Sequence, residues 1–205
     1  MPLHTKITRN FKVEFDEKRI LRLIGYKKKR QMIKEPVYKL ILEQKNKLPR
    51  LLEPAAVYAI IDYNQTNKHP IFDHAQKVAL CVCTIGPKLE KEVESLTKKN
   101  ELLQAFILDA LGSEAAEEVA IQSDKMLAEK AREMNLWPSK RFSPGYGKWD
   151  ITEQRFIFCI LPGQDIGVSL RESYMMVPRK SISFRINFYK EKKFSTRKPE
   201  VETHD

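Results

Sequence analysis

Leu102-Leu103-Gln104-Ala105-Phe106-Ile107-Leu108-Asp109-Ala110-Leu111-Gly112-Ser113-Glu114-Ala115-Ala116-Glu117-Glu118-Val119 opens a run from Glu101 to Met134 in which apolar residues return every three or four positions. Leu102, Leu103, Phe106, Ile107, Ala110, Leu111, Ala115, Val119 and Met126 follow the repeat of an α-helix. Unbroken, such a helix is roughly 50 Å long at about 1.5 Å per residue. Gly112-Ser113 is the expected bend. A helix this apolar and this rich in alanine predicts a spine through the core rather than a surface strip. Asp109, Ser113, Glu114 and Glu117 interrupt it, and carboxylates on a helix ordinarily mark a solvated edge.

Upstream, Ala55–Tyr63 and Lys77–Ile85 are almost continuously apolar, which predicts central strands covered on both faces. Residues 64–70 form a polar loop between them, and Gly86-Pro87 ends the second strand and launches a helix carrying Leu89, Val93 and Leu96. Nearer the start, Phe11–Phe15 alternates apolar and polar as in a short strand. Asp16 is placed to cap a helix through Ile20, Leu21, Leu23 and Ile24 that stops at Gly25. Pro36 begins a second helix with Val37, Leu40, Ile41 and Leu42 on its apolar side, ended by Pro49 and Pro54.

Downstream, Asp150 or Thr152 caps a helix through Phe156, Ile157, Ile160 and Leu161, closed by Pro162-Gly163. Ile166, Val168 and Leu170 alternate with Gly167, Ser169 and Arg171 as in a strand. The clearest strand comes last: Ile182, Phe184, Ile186 and Phe188 face one side, and Ser183, Arg185 and Asn187 the other. Strands at the start, middle and end frame a helical centre, without strict βαβ alternation. The expectation is a single α+β domain over residues 1–189, a mostly antiparallel twisted sheet packed with helices, including one long central helix. Residues 190–205 read as a basic, polar C-terminal tail.

The chain has 205 residues, a net charge of +10 and 42% hydrophobic residues, enough for one large domain with a real core. It has no apolar run of the ~20 residues a membrane span needs. Residues 1–6 show no apolar signal-peptide segment, so a cytoplasmic protein is expected. Cys81, Cys83 and Cys159 are an odd number without a loop-rich framework, which predicts buried, unbridged thiols. His69, Asp73 and His74 lie near one loop but lack metal-ligand spacing, and no metal is expected.

The basic clusters, residues 27–30 and Lys190 with Lys192 and Lys193, invite a nucleic-acid reading. Interleaved glutamates and the lack of zinc-finger, basic-zipper or RNP signatures count against it. Neither membrane nor nucleic acid is expected as a partner, and basic charge equally suits docking of an acidic protein. No Gly-x-Gly-x-x-Gly follows a strand and no Gly-Lys-Ser/Thr loop occurs, so Rossmann-type and P-loop enzymes are not expected.

After the long helix, Arg141-Phe142-Ser143-Pro144-Gly145-Tyr146-Gly147-Lys148-Trp149 concentrates an arginine, a Pro-Gly turn and two large aromatics. Proline fixes its φ and extends Ser143, so Gly145 takes positive φ at the third corner of a type II turn. Such a turn can turn backbone N–H groups to a ligand. Arg141 offers a planar fork for a carboxylate or phosphate, and Tyr146 and Trp149 offer flat faces for a ring.

That motif, followed by Ile166–Leu170, Glu172, Ser173, Met175, Met176, Pro178, Ser181 and Ser183, resembles the activation domain of cobalamin-dependent methionine synthase, densely from Ala55 to Phe188. The resemblance implies a module that binds S-adenosylmethionine (SAM) and presents its methyl group to a cobalamin stranded by oxidation. One electron from a flavodoxin- or ferredoxin-like donor is also required. It implies that Arg141 holds the SAM carboxylate, that Pro144 and Gly145 contact the ligand through their backbone, and that Tyr146 lies between SAM and cobalamin. Asp109 and Glu114 fall near the family's acidic helix positions. With Asp109 and Glu114, Ile186 and Asn187 of the last strand are implied as SAM contacts; these two replace an aromatic pair sometimes found there, and an N-terminal family aspartate falls near Gly25, where this chain lacks it.

No residue is implied as a general acid, base or nucleophile, so the chain is expected to act in reactivation rather than to catalyse alone. The zinc-bearing, folate and cobalamin-binding modules have no counterpart in these 205 residues. The expected partner is therefore a separately encoded cobalamin-binding methionine synthase chain. Two alternatives remain at this point: a reactivation partner for another corrinoid methyltransferase, and a basic nucleic-acid-binding or scaffold protein without a SAM site. A methyltransferase acting alone on small molecules is a weaker third, because no acceptor base is recognisable.

Overall fold

A computed structural model describes residues 4–14, 17–23, 35–66, 72 and 74–191. Its elements in chain order are β1 (Lys6–Thr8), α1 (Glu17–Leu23), α2 (Glu35–Leu51), β2 (Ala55–Asp62), β3 (Lys77–Thr84), α3 (Lys88–Lys98), α4 (Leu102–Glu133), β4 (Trp137–Pro138), α5 (Gln154–Ile160), β5 (Ser169–Leu170), β6 (Met176–Val177) and β7 (Ser181–Tyr189). Five strands form one antiparallel sheet in the order β1-β2-β3-β7-β4, and β5 and β6 pair as a separate ribbon. The α+β class, the antiparallel sheet and the long central helix are as the sequence predicts.

The pleat explains why β2 and β3 read as continuous apolar runs. Ala56, Tyr58, Ala79, Cys81 and Cys83 join Phe184, Ile186 and Phe188 in a core shared with α1 to α4. The alternate residues Val57, Ala59, Ile61, Val78, Leu80 and Val82 pack on the other face against Trp149, Ile157, Leu161, Ile166 and Val168. Successive side chains point to opposite faces, so a strand apolar at every position needs cover on both sides. The sheet is thus the middle of three layers.

Several expectations are corrected. The Phe11–Phe15 segment is not a strand where it is described; the edge strand is Lys6–Thr8, paired with β2. The Lys12 backbone is satisfied by a side chain instead: its N–H donates to Gln122 Oε1 at 3.3 Å, and Gln122 Nε2 donates to its carbonyl at 2.6 Å. Pro49 does not end α2, which runs on to Leu51. A proline so near a C-terminus removes one helical hydrogen bond and leaves little helix beyond it to break. Ile166–Leu170 is mostly not strand: a 3-10 turn spans Gly163–Ile166, Gly167 has φ +73°, and only Ser169–Leu170 is extended. Cys159 is exposed, whereas Cys81 and Cys83 are buried.

Gly112-Ser113 does not interrupt α4, which is one helix of 32 residues. Gly112 serves packing: a Cβ there would lie 2.5 Å from Leu89 Cδ2. Its absence lets α3 and α4 approach closely. Among the described residues no helix is long and apolar enough to cross a membrane. Asp16, Gly25, His69, Asp73, the basic cluster at 27–30 and residues 192–205 lie outside the described residues.

Candidate functional site

The Pro-Gly stretch folds as its residue types dictate. Tyr146 N–H donates to the Ser143 carbonyl at 3.3 Å and Gly145 has φ +89°, the geometry of a type II turn. The turn is closed on itself: Gly145 N–H donates to the Trp149 carbonyl at 2.8 Å and Trp149 N–H to the Tyr146 carbonyl at 3.1 Å. The Gly145 and Tyr146 amides, expected to be open to a ligand, are therefore engaged inside the loop.

Trp149, expected as a ligand platform, is core at 2% exposure. It stacks on Phe142, with ring centroids 6.2 Å apart and planes at 11°. The Arg185 guanidinium lies over both rings, 5.3 Å from Phe142 and 5.6 Å from Trp149, and 5.9 Å from Phe72. Burial lowers the Arg185 pKa from its ordinary value, but arginine stays charged. Its Nε and the Trp149 Nε1 have no hydrogen-bond partner among the described residues. The attraction of a desolvated cation for ring faces therefore ties the loop to β7. Phe142 and Arg185 also exchange both backbone hydrogen bonds, at 2.9 and 3.0 Å.

This pairing fixes where the strand edge opens. Antiparallel strands bond alternately to either side, so Ser183, two residues before Arg185, turns its N–H and C=O to the same outer edge. A cavity of about 540 Å3 lies there, lined by Glu117, Arg141, Phe142, Ser143, Pro144, Tyr146, Gln154, Met176, Ser181, Ile182 and Ser183. That size suits a small-molecule ligand. Arg141 lies on the helix side of the sheet, its Cζ 5.9 Å from the Phe184 ring centroid, and its Nη2 donates to Glu117 Oε1. Tyr146 stands over the mouth at 68% exposure.

Of the residues singled out from the sequence, Arg141, Pro144 and Tyr146 line this cavity, while Gly145 shapes the turn behind it. Asp109 lies further along α4, with Lys180 Nζ 2.8 Å from its Oδ1; the same ammonium donates to Ser113 Oγ at 2.8 Å. Glu114 is buried and pairs with Arg19 of α1 at 3.2 Å. Ile186 lies in the helix-side core. Asn187 is buried, its N–H held by Ser139 Oγ at 3.0 Å and its Nδ2 donating to the Tyr189 hydroxyl at 3.1 Å. None of these four lines the cavity.

Sequence reasoning passed over Glu117 and Gln154. The signal for Glu117 was present: Asp109, Ser113 and Glu117 stand at four-residue intervals on one helix face. That row keeps partial access to water, as a solvated edge would, but it also faces Lys180 and Arg141. Gln154 carried no sequence signal, because its burial depends on β7.

A family model described as "Vitamin B12 dependent methionine synthase, activation domain" matches residues 21–198. No curated protein matches the chain. Among solved structures, one described as "Crystal Structure of the MetH Reactivation Domain bound to AdoHcy" superposes with a TM-score of 0.68 at 14% identity, covering 95% of this chain and 81% of that one.

Proposed function

The chain belongs to the family of vitamin B12 dependent methionine synthase activation domains, and from that premise we propose that it binds SAM in the cavity under the Pro-Gly turn and presents the methyl group to cobalamin held by the cobalamin-binding part of a methionine synthase. The observation that carries this reading is the Arg141–Glu117 pair at one end of a cavity whose other end is uncharged. SAM has matching ends: a zwitterionic amino acid and a neutral base. Arg141 would take the carboxylate in its fork and Glu117 the ammonium, exchanging one ion pair for two. Pro144 and Tyr146 would border the ligand, with Gly145 shaping the turn behind them and Tyr146 on the side open to the partner. Asp109, Glu114, Ile186 and Asn187 would act at a distance, by fixing α4 and β7.

The partner's corrin supplies the methyl-accepting chemistry when it docks; this chain's residues bind, orient and limit water. Nothing lining the cavity needs to move a proton, because sulfonium methyl transfer to a reduced metal has no proton to relay. The electron donor is inferred to be a flavodoxin- or ferredoxin-like protein, and the net charge of +10 favours an acidic one. Association that weakens as salt rises supports this; salt-insensitive association removes it.

Calorimetric titration of SAM into the protein and into Arg141→Ala tests the core of the reading. Saturable binding that the variant weakens about 10- to 100-fold is the expected result. No binding, with and without a cobalamin domain, would leave the family fold without this function. Copurification with a different corrinoid protein would change the client and keep the site.

A further inference from the structure

The uncharged end of the cavity is built around Gln154, the first residue of α5. Asp150 fixes the approach by accepting from Thr152 N–H at 2.8 Å, which sets the 3-10 turn leading into α5. The Gln154 side chain is thereby brought against β7, and the residue is only 6% exposed. Ser183 Oγ donates to Gln154 Oε1 at 3.5 Å, a long contact that turns the oxygen toward the strand and the nitrogen away from it. Nε2 donates to no group among the described residues. Its neighbour Ser181 is already engaged, its hydroxyl 2.9 Å from Thr84 Oγ1 and 2.7 Å from the Pro178 carbonyl.

The carboxamide is nearly buried, and its donor, not spent on the protein, is left to the cavity, where a bound ligand can accept from it. Met176, Ile182 and Pro144 line the same cavity and supply apolar wall, so the acceptor that fits is a flat heteroaromatic with lone pairs in its plane. Carboxamides read adenine edges through such in-plane hydrogen bonds. With Oε1 held by Ser183, the donor half alone remains. We infer that Gln154 Nε2 donates to a ring nitrogen of the ligand's purine, making Gln154 the residue that selects an adenosyl group. The inference rests on the SAM reading and adds to it the determinant of the base.

The test compares S-adenosylhomocysteine with its 1-deaza, 3-deaza and 7-deaza counterparts, each titrated calorimetrically into the full chain and into Gln154→Leu. Each analogue replaces one ring nitrogen by C–H. One of them is expected to bind the unaltered protein about tenfold more weakly than the parent, the size of one hydrogen bond to a neutral acceptor. In Gln154→Leu that penalty disappears, while the ratios for the other two analogues stay as they were. Identical penalty patterns in both proteins, or no analogue discriminated by either, overturn the inference and leave SAM binding intact. Failure of the unaltered protein to bind any of the four, with or without a cobalamin domain, overturns the SAM reading itself. Should circular dichroism show the leucine variant unfolded, Gln154→Met, closer in length and volume, carries the same expectation.

Discussion

Arg141 and Glu117 are ion-paired at the rim of the cavity, although they stand 24 residues apart on a turn and on the long helix. Both side chains keep partial access to water, so the pair itself adds little to stability. Its consequence is for ligand selection. Arg141→Ala is expected to weaken SAM about 10- to 100-fold, the range for hydrogen bonds to charged groups. Decarboxylated SAM separates the two roles. Its affinity should be indifferent to Arg141→Ala and still fall in Glu117→Gln. Equal sensitivity of both ligands to both variants would dissolve the assignment.

Tyr146 is exposed on 68% of its surface, so its ring contributes little to the fold. Tyr146→Ala should leave the unfolding free energy within about 0.5 kcal/mol of the unaltered protein's, as surface substitutions usually do. The rate of methyl transfer to a reduced cobalamin partner should fall nonetheless, because the residue stands between the cavity and the outside. A variant with unchanged transfer rate would place the docking face elsewhere.

Gly112 and Leu89 test the packing between α3 and α4. Alanine gains up to about 1 kcal/mol over glycine in a helix interior. Its methyl carbon would stand 2.5 Å from Leu89 Cδ2, and Leu89 is fully buried. Overpacking of this kind costs typically ~1–3 kcal/mol, so Gly112→Ala should destabilise on balance. Combined with Leu89→Ala it should cost less than the sum of the two single changes, because the clash goes with the leucine. Additive losses in urea denaturation would mean that the contact carries no strain.

The legible and illegible parts of the chain divide by the range of the interactions involved. β2, β3, β7 and α4 were readable because their apolar periodicity records the layers that cover them. The turn at Pro144-Gly145 was readable because it is set by the φ preferences of two residues. Trp149 was misplaced because its cover comes from Phe142, Phe72 and Arg185, one of them 36 residues away across the sheet. Phe11–Glu14 looked like a strand because extended chain has the same alternation whether its backbone bonds to a strand or, as here, to Gln122. Glu117 was passed over because a carboxylate facing a distant arginine looks in sequence like one facing water.

The thiols give a pH dependence with a definite sign. Burial raises the Cys83 pKa to about 12, tempered by the Arg141 charge and by a backbone hydrogen bond from Ile182. Burial, with Cys83 beside it, raises Cys81 as well. A thiol in the unfolded chain ionises near about 8.5. Below that pH both states keep the proton, and the stabilisation that goes with the neutral, buried thiol is complete. Above it the unfolded chain releases the proton first and the folded state falls behind, by about 1.4 kcal/mol per pH unit for each such thiol. For Cys83 that loss continues up to about 12. Unfolding free energies measured in urea from pH 8 to pH 10.5 should therefore decline, and Cys83→Ala should decline less steeply by close to one proton's worth. Other groups also titrate in this interval, which is why the difference between the two proteins is the quantity to read. Thiol-reagent labelling at pH 8 gives the companion result: Cys159, exposed on α5, reacts at once, and Cys81 and Cys83 only as the protein opens. Parallel slopes, or rapid labelling of all three, would show that the sheet interior admits water at β3.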